Sequence, residues 1–90
     1  MESNYESTKK RGLINPDTDM NDFISKIHEE VEELQESVNE GTLKEIKEEL
    51  SDVILVCLNA AHHHGIDIES ELKKKIKINY QRALNFDTTE

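Results

Sequence analysis

Residues 43–64, LKEIKEELSDVILVCLNAAHHH, constrain the fold more than any other stretch, because a lysine- and glutamate-rich half runs unbroken into an almost wholly apolar one. The pattern predicts one long helix. At about 100° of rotation per residue, Leu43, Ile46, Leu50, Ile54, Cys57 and Ala61 form one stripe, and Leu55, Val56, Leu58 and Ala60 make the second half apolar all round. A helix apolar on every side must be surrounded. At the junction, Glu49 and Asp52 are three residues apart and so share a face, at the point where the apolar wall begins.

Ninety residues make one domain, and a chain of this size buries only about 60–65% of the surface its unfolded form exposes. Other copies of the chain are therefore expected to cover part of the central helix, in a closed symmetric oligomer. The single cysteine rules out an intramolecular disulfide. Cys57 lies in the apolar stripe and reads as a small buried thiol, in keeping with a reducing cytoplasm. There is no basic-then-apolar leader pattern and no apolar run near ~20 residues, so neither secretion nor a membrane span is expected. The net charge of −9, from 20 acids against 11 lysines and arginines, would repel nucleic acid. So many acids either form a solvated surface or hold divalent cations.

In chain order, residues 1–19 carry few apolar side chains and the breaker pair Asn15-Pro16, and read as a mobile or surface-laid arm anchored by Leu13 and Ile14. Thr18 or Asp19 is a candidate N-cap. The helix that follows has the stripe Met20, Phe23, Ile24, Ile27, Val31, Leu34 and Val38. Gly41 ends it and Thr42 caps the next, and so short a connection makes the two helices antiparallel neighbours. His62, His63 and His64 point in three directions from the end of the central helix, and read as surface or interface histidines rather than metal ligands. After Gly65, a third helix starts near Asp67 with the stripe Ile68, Leu72, Ile76, Asn79, Tyr80 and Ala83. The expected organisation is all-α: an antiparallel bundle of three main helices over 20–85, completed by homo-oligomerisation, with a frayed tail at 86–90.

The acids of the first long helix divide by angle. Glu29, Glu32 and Glu36 fall opposite the apolar stripe, where solvated charges belong. Glu30 and Glu33 fall on one shoulder, about 60° and 120° from the centre of the stripe. Across an antiparallel seam, the pair Glu30, Glu33 would face Glu49, Asp52. Four converging carboxylates repel by several kcal/mol at about 4 Å, so protons or a cation must neutralise them, and paired hard oxygens are what Mg²⁺ takes when it is shared with phosphates. On the third helix, Lys75, Asn79 and Arg82 share a shoulder suited to phosphate and sugar oxygens. From spacing alone these residues could equally form ordinary surface ion pairs.

Taken together, Glu29, Glu30 and Glu33, then Glu49 and Asp52, then Lys75, Asn79 and Arg82, resemble the EExxE, ExxD and closing Lys-xxx-Asn-xx-Arg motifs of the MazG-type all-α nucleoside triphosphate pyrophosphohydrolases. The resemblance covers roughly residues 20–85. It implies Mg²⁺-dependent hydrolysis, with Mn²⁺ a possible substitute, of a nucleoside triphosphate to the monophosphate and pyrophosphate. It implies Glu30, Glu33, Glu49 and Asp52 as metal ligands, with Glu33 orienting or deprotonating the attacking water. Lys75 and Arg82 would neutralise phosphate charge and Asn79 would contact sugar or phosphate. Lys26 and Phe23, on the shoulder of Glu30, are candidates for phosphate-side and base-side contacts, although Phe23 fits the core better. Family members assemble as dimers or tetramers. They often carry a further helix before the EExxE helix, where this chain offers only residues 1–19. The rival reading is a non-catalytic helical module that dimerises or binds a partner helix.

Overall fold

Asp19 starts the first long helix through a reciprocal cap. Its carboxylate accepts from the Asp22 backbone N–H, and the Asp22 carboxylate accepts from the Asp19 N–H, each at 2.9 Å, which satisfies two otherwise orphaned donors. In the computed structural model, which describes residues 2–88 and side chains from 4 to 85, the chain forms α1 (Glu2–Lys10), α2 (Met20–Glu40), α3 (Leu43–His63) and α4 (Ile68–Thr88). There is no strand among the described residues. The class is all-α, as the hydropathy pattern predicts.

The α2–α3 turn depends on Gly41. Its N–H donates to the Ser37 carbonyl at 2.9 Å, and a Cβ there would lie 2.5 Å from the Glu45 carboxylate and 2.8 Å from that carbonyl. Thr42 then caps α3 by accepting from the Glu45 N–H. With only residues 41–42 between them, α3 folds back along α2, and this is the main helix contact of the chain.

The described residues up to Asp19 lie against α3, and about half of them are helical. Glu2–Lys10 contains one apolar side chain, Tyr5, too little for a hydropathy pattern to reveal a helix. Tertiary contacts hold it instead. Tyr5 is buried, its ring lies 4.3 Å from that of His62, and its hydroxyl is 2.8 Å from His63 Nδ1. His63 Nε2 donates to the Thr18 carbonyl at 2.8 Å, so in the neutral ring Nδ1 accepts from Tyr5. His63 thus ties α1, the following connection and α3 together, rather than standing on the surface. Ile14 is buried and Leu13 is exposed. The core is small: Tyr5, Ile14, Phe23 and Ala60, with Val56 against it.

Two apolar faces remain uncovered. Every described side chain from 71 to 85 is exposed, and among the described residues α4 makes no substantial contact with another helix. The hydropathy stripes of α2 and α3 are also turned outward at Ile24, Val31, Leu50 and Ile54. Cys57 is exposed, not buried as its place in the stripe predicts. The accessible surface is 7169 Å², against about 5,400 Å² for a compact monomer of this mass. The radius of gyration is 16.6 Å, against about 12 Å. Helix α4 continues to Thr88 where a frayed tail is expected, and the last two residues of that tail lie outside the described residues.

Candidate active site

The seam between α2 and α3 is lined by Phe23, Ile27, Glu30, Leu34 and Ser37 from one helix. From the other come Ile46, Glu49, Val53, Val56 and Ala60. These spacings of three and four are those of a helix–helix seam whose positions are ordinarily apolar. Two acids occupy it. Glu30, expected on a shoulder, is 7% exposed. One oxygen of Glu30 and one of Glu49 are sealed from solvent with no hydrogen-bond partner. Asp52, one turn beyond Glu49, completes the cluster: one oxygen from each of Glu30, Glu49 and Asp52 lies within 4.8 Å of the other two.

A buried acceptor without a partner costs on the order of 1–3 kcal/mol, more when charged, and like charges at this range repel. The side chains around the cluster show how the strain is met. Lys26 Nζ lies 3.2 Å from Glu29 and 3.3 Å from Glu30, and the Glu29 contact, with help from Glu30, holds its ammonium above the ordinary lysine range. Glu49 is pushed above the ordinary carboxylate range, first by desolvation, then by the Glu33 carboxyl within hydrogen-bonding reach, and by the charges of Asp52 and Glu30. A set of hard carboxylate oxygens, two of them unpartnered, fits Mg²⁺ or Mn²⁺.

A cleft of about 500 Å³ opens beside this cluster, between α1, the connection after it, α2 and α3. Glu29, Glu30, Lys26 and Asp52 line one end. Asn4, Thr8 and Asn59 line the cleft as well, and so does Arg11, which has no ion-pair partner among the described residues. These four escaped the sequence reading. Asn59 was the visible signal, an amide within the apolar half of α3. The α1 residues become legible only once 2–10 is known to be helical.

Of the residues singled out by sequence, Glu30, Glu49 and Asp52 are brought together. Glu33 is exposed and adjoins Glu49, and the two line a smaller acidic recess. Phe23 is core and also lines the main cleft. Lys75, Asn79 and Arg82 are exposed on α4 and none of them lines the cleft.

An all-α fold with an ExxE helix laid against an ExxD helix, their acids gathered beside a cleft, is that of the MazG-like pyrophosphohydrolases. The model of one family, phosphoribosyl-ATP pyrophosphohydrolase, matches residues 8–77, and the chain belongs to that family within the MazG-like superfamily. The family is one of hydrolases with pyrophosphohydrolase-type activity on nucleotides. The matched span includes the acid cluster and Lys75, and stops before Asn79 and Arg82. No curated protein and no solved structure gives a significant match to the chain. Among the described residues, no helix is long and apolar enough to cross a membrane.

Proposed function

We propose that the protein is an Mg²⁺-dependent nucleoside triphosphate pyrophosphohydrolase that releases the nucleoside monophosphate and pyrophosphate, with Mn²⁺ able to substitute. The observation that carries this reading is the pair of sealed, unpartnered oxygens on Glu30 and Glu49 beside Asp52. These three residues, with Glu33, would hold the cation, which when bound withdraws charge from phosphate oxygens and lowers the pKa of water. Water attacks the α-phosphorus and pyrophosphate leaves. Glu33, exposed and next to Glu49, is the base that would orient the water and take its proton. Lys26 can turn from Glu30 to a phosphate oxygen. Such a substrate and a lone cysteine go with a cytoplasmic enzyme.

A second copy of the chain completes the site. The surface exceeds that of a compact monomer by about 1,800 Å², more than the ~800 Å² per partner of a standard interface, and much of it is apolar on Ile24, Ile54, Leu72, Ile76 and Tyr80. In a homodimer or homotetramer, α4 from a neighbouring copy would cover these faces. It would also carry Lys75 and Arg82 to the phosphates and Asn79 to sugar or phosphate. With a net charge of −9, nucleic acid is not the partner.

The family's name favours a second reading, phosphoribosyl-ATP as substrate, for which Arg11 supplies a cation in the cleft without an ion-pair partner among the described residues. Pyrophosphate release from natural and damaged nucleoside triphosphates, and from phosphoribosyl-ATP, distinguishes the readings. Release is expected with Mg²⁺ or Mn²⁺ and not with a chelator. No hydrolysis across the panel would overturn the enzyme reading and leave a helical partner-binding module.

A further inference from the structure

Away from the acid cluster the cleft is lined mainly by neutral and basic polar groups, with one acid, Asp22, whose carboxylate accepts from the Asp19 N–H. Asn4 and Thr8, four residues apart on α1, present one face, and both line the cleft, as does Arg11 just past the end of the helix. Opposite them on α3, Asp52, Val56 and Asn59 line it with the same periodicity. Asp52 and Asn59 are seven residues apart, about 10 Å along a helix axis, a length that takes a nucleoside from its 5′-phosphate to the outer edge of its base. Between them the walls are apolar, with Ile14, Phe23 and Leu55.

The hydrogen bonds at this end fix a direction of polarity. The Thr8 hydroxyl donates its only proton to the Asn4 backbone carbonyl at 2.8 Å. Thr8 Oγ1 can therefore only accept from Asn59, whose Nδ2 lies 3.5 Å away. That turns Asn59 Oδ1 towards Asn4, where it accepts from Asn4 Nδ2 at 3.0 Å. Asn59 is 6% exposed and anchors the arrangement. Asn4 is left with Oδ1 and one N–H uncommitted, and its amide cannot flip without breaking the chain of bonds.

We infer that Asn4 reads the hydrogen-bonding edge of a nucleobase with this oriented carboxamide, and that Thr8 and Asn59 are positioning residues that hold it. The substrate is accordingly a nucleotide with an intact base, seated against the apolar walls with its phosphates towards Asp52. A carboxamide matches a base edge that carries an acceptor beside a donor. Selectivity then resides in α1, the helix furthest in sequence from the acids. The inference rests on the nucleotide-hydrolase reading above, and its test separates the two.

For the full chain with Mg²⁺, kcat/KM is measured on the four common nucleoside triphosphates and on ribose 5-triphosphate, which lacks a base. The wild type is expected to favour base-bearing substrates. Asn4→Ala should compress that preference by about tenfold or more, since a two-bond base contact discriminates by about 1–3 kcal/mol. Thr8→Val should change the rank order among bases by freeing the amide to flip, and Thr8→Ser should restore it, which a merely structural role of the methyl group would not predict. An unchanged preference in Asn4→Ala, or an equal loss on base-bearing and abasic substrates, would overturn the inference. Side-chain amide resonances of Asn4 and Asn59, followed by NMR during titration with nucleoside monophosphates without metal, give an independent readout. If they shift with nucleosides while nothing is hydrolysed, the hydrolase reading fails and base recognition stands. If they do not shift with any nucleotide, base recognition fails.

Discussion

At one end of the cleft lie Glu30 and Asp52, and Glu30 and the adjacent Glu49 each keep a buried oxygen without a partner. About two turns beyond Asp52 along α3, Asn59 has both halves of its amide engaged, with Asn4 and Thr8. The contrast separates two uses of buried polarity. An unsatisfied anionic cluster is costly in the empty protein and is stabilised by a ligand of opposite charge. A satisfied neutral network costs little, and its value lies in holding one remaining edge in a fixed orientation. Chemistry is expected where polar groups lack partners, and selection where they have them.

The comparison breaks most visibly in turnover. Asp52→Asn should lower kcat by about a thousandfold, the loss typical when charge stabilisation of a phosphoryl transition state is removed. Thr8→Val should instead move the ratio between bases. If both variants simply scale all substrates down together, the two ends do not have different roles. Steady-state pyrophosphate release measures both.

A smaller effect concerns the metal-free fold. Glu49 holds its proton more tightly in the folded chain than an ordinary carboxyl does, so between the ordinary value and the raised one the folded state binds more protons than the unfolded. Its contribution to stability is therefore lost as pH rises through that window, and stays lost above it. Glu49→Gln should remove this slope and, above the window and without metal, leave the variant the more stable protein. Calorimetric melting across pH checks the sign. Identical slopes in the two proteins would show that Glu49 is not strained.

Much of this was legible in the sequence, for reasons particular to each element. The capping chemistry of Asp19, Thr42 and Asp67 and the breaks at Gly41 and Gly65 act locally, so α2, α3 and α4 could be bounded from neighbouring residues alone. Three of the four predicted ligands converge because an ExxE and an ExxD spacing each fix a helix face. The direction of that face was not legible. Apolar residues such as Val31, Leu50, Ile54 and Cys57 mark the side left open within one chain, whereas the α2–α3 seam runs through Glu30, Ser37 and Glu49. A stripe shows where burial is wanted, not which neighbour supplies it. Helix α1 is not legible because Tyr5 is its only apolar side chain, and the particular contact that His63 makes is not legible because its partners, Tyr5 and the Thr18 carbonyl, are distant in sequence.

The central claim is that Glu30, Glu49 and Asp52 form a divalent cation site. Titration of the metal-free, full-length protein with Mn²⁺, followed by calorimetry and electron paramagnetic resonance, tests it without any substrate. Saturable binding is expected, with proton release on binding at pH values where Glu49 is still protonated, and affinity at least about tenfold weaker in Asp52→Asn, a loss of ~1.4 kcal/mol. Absence of saturable binding, or equal affinity in the variant, would contradict it.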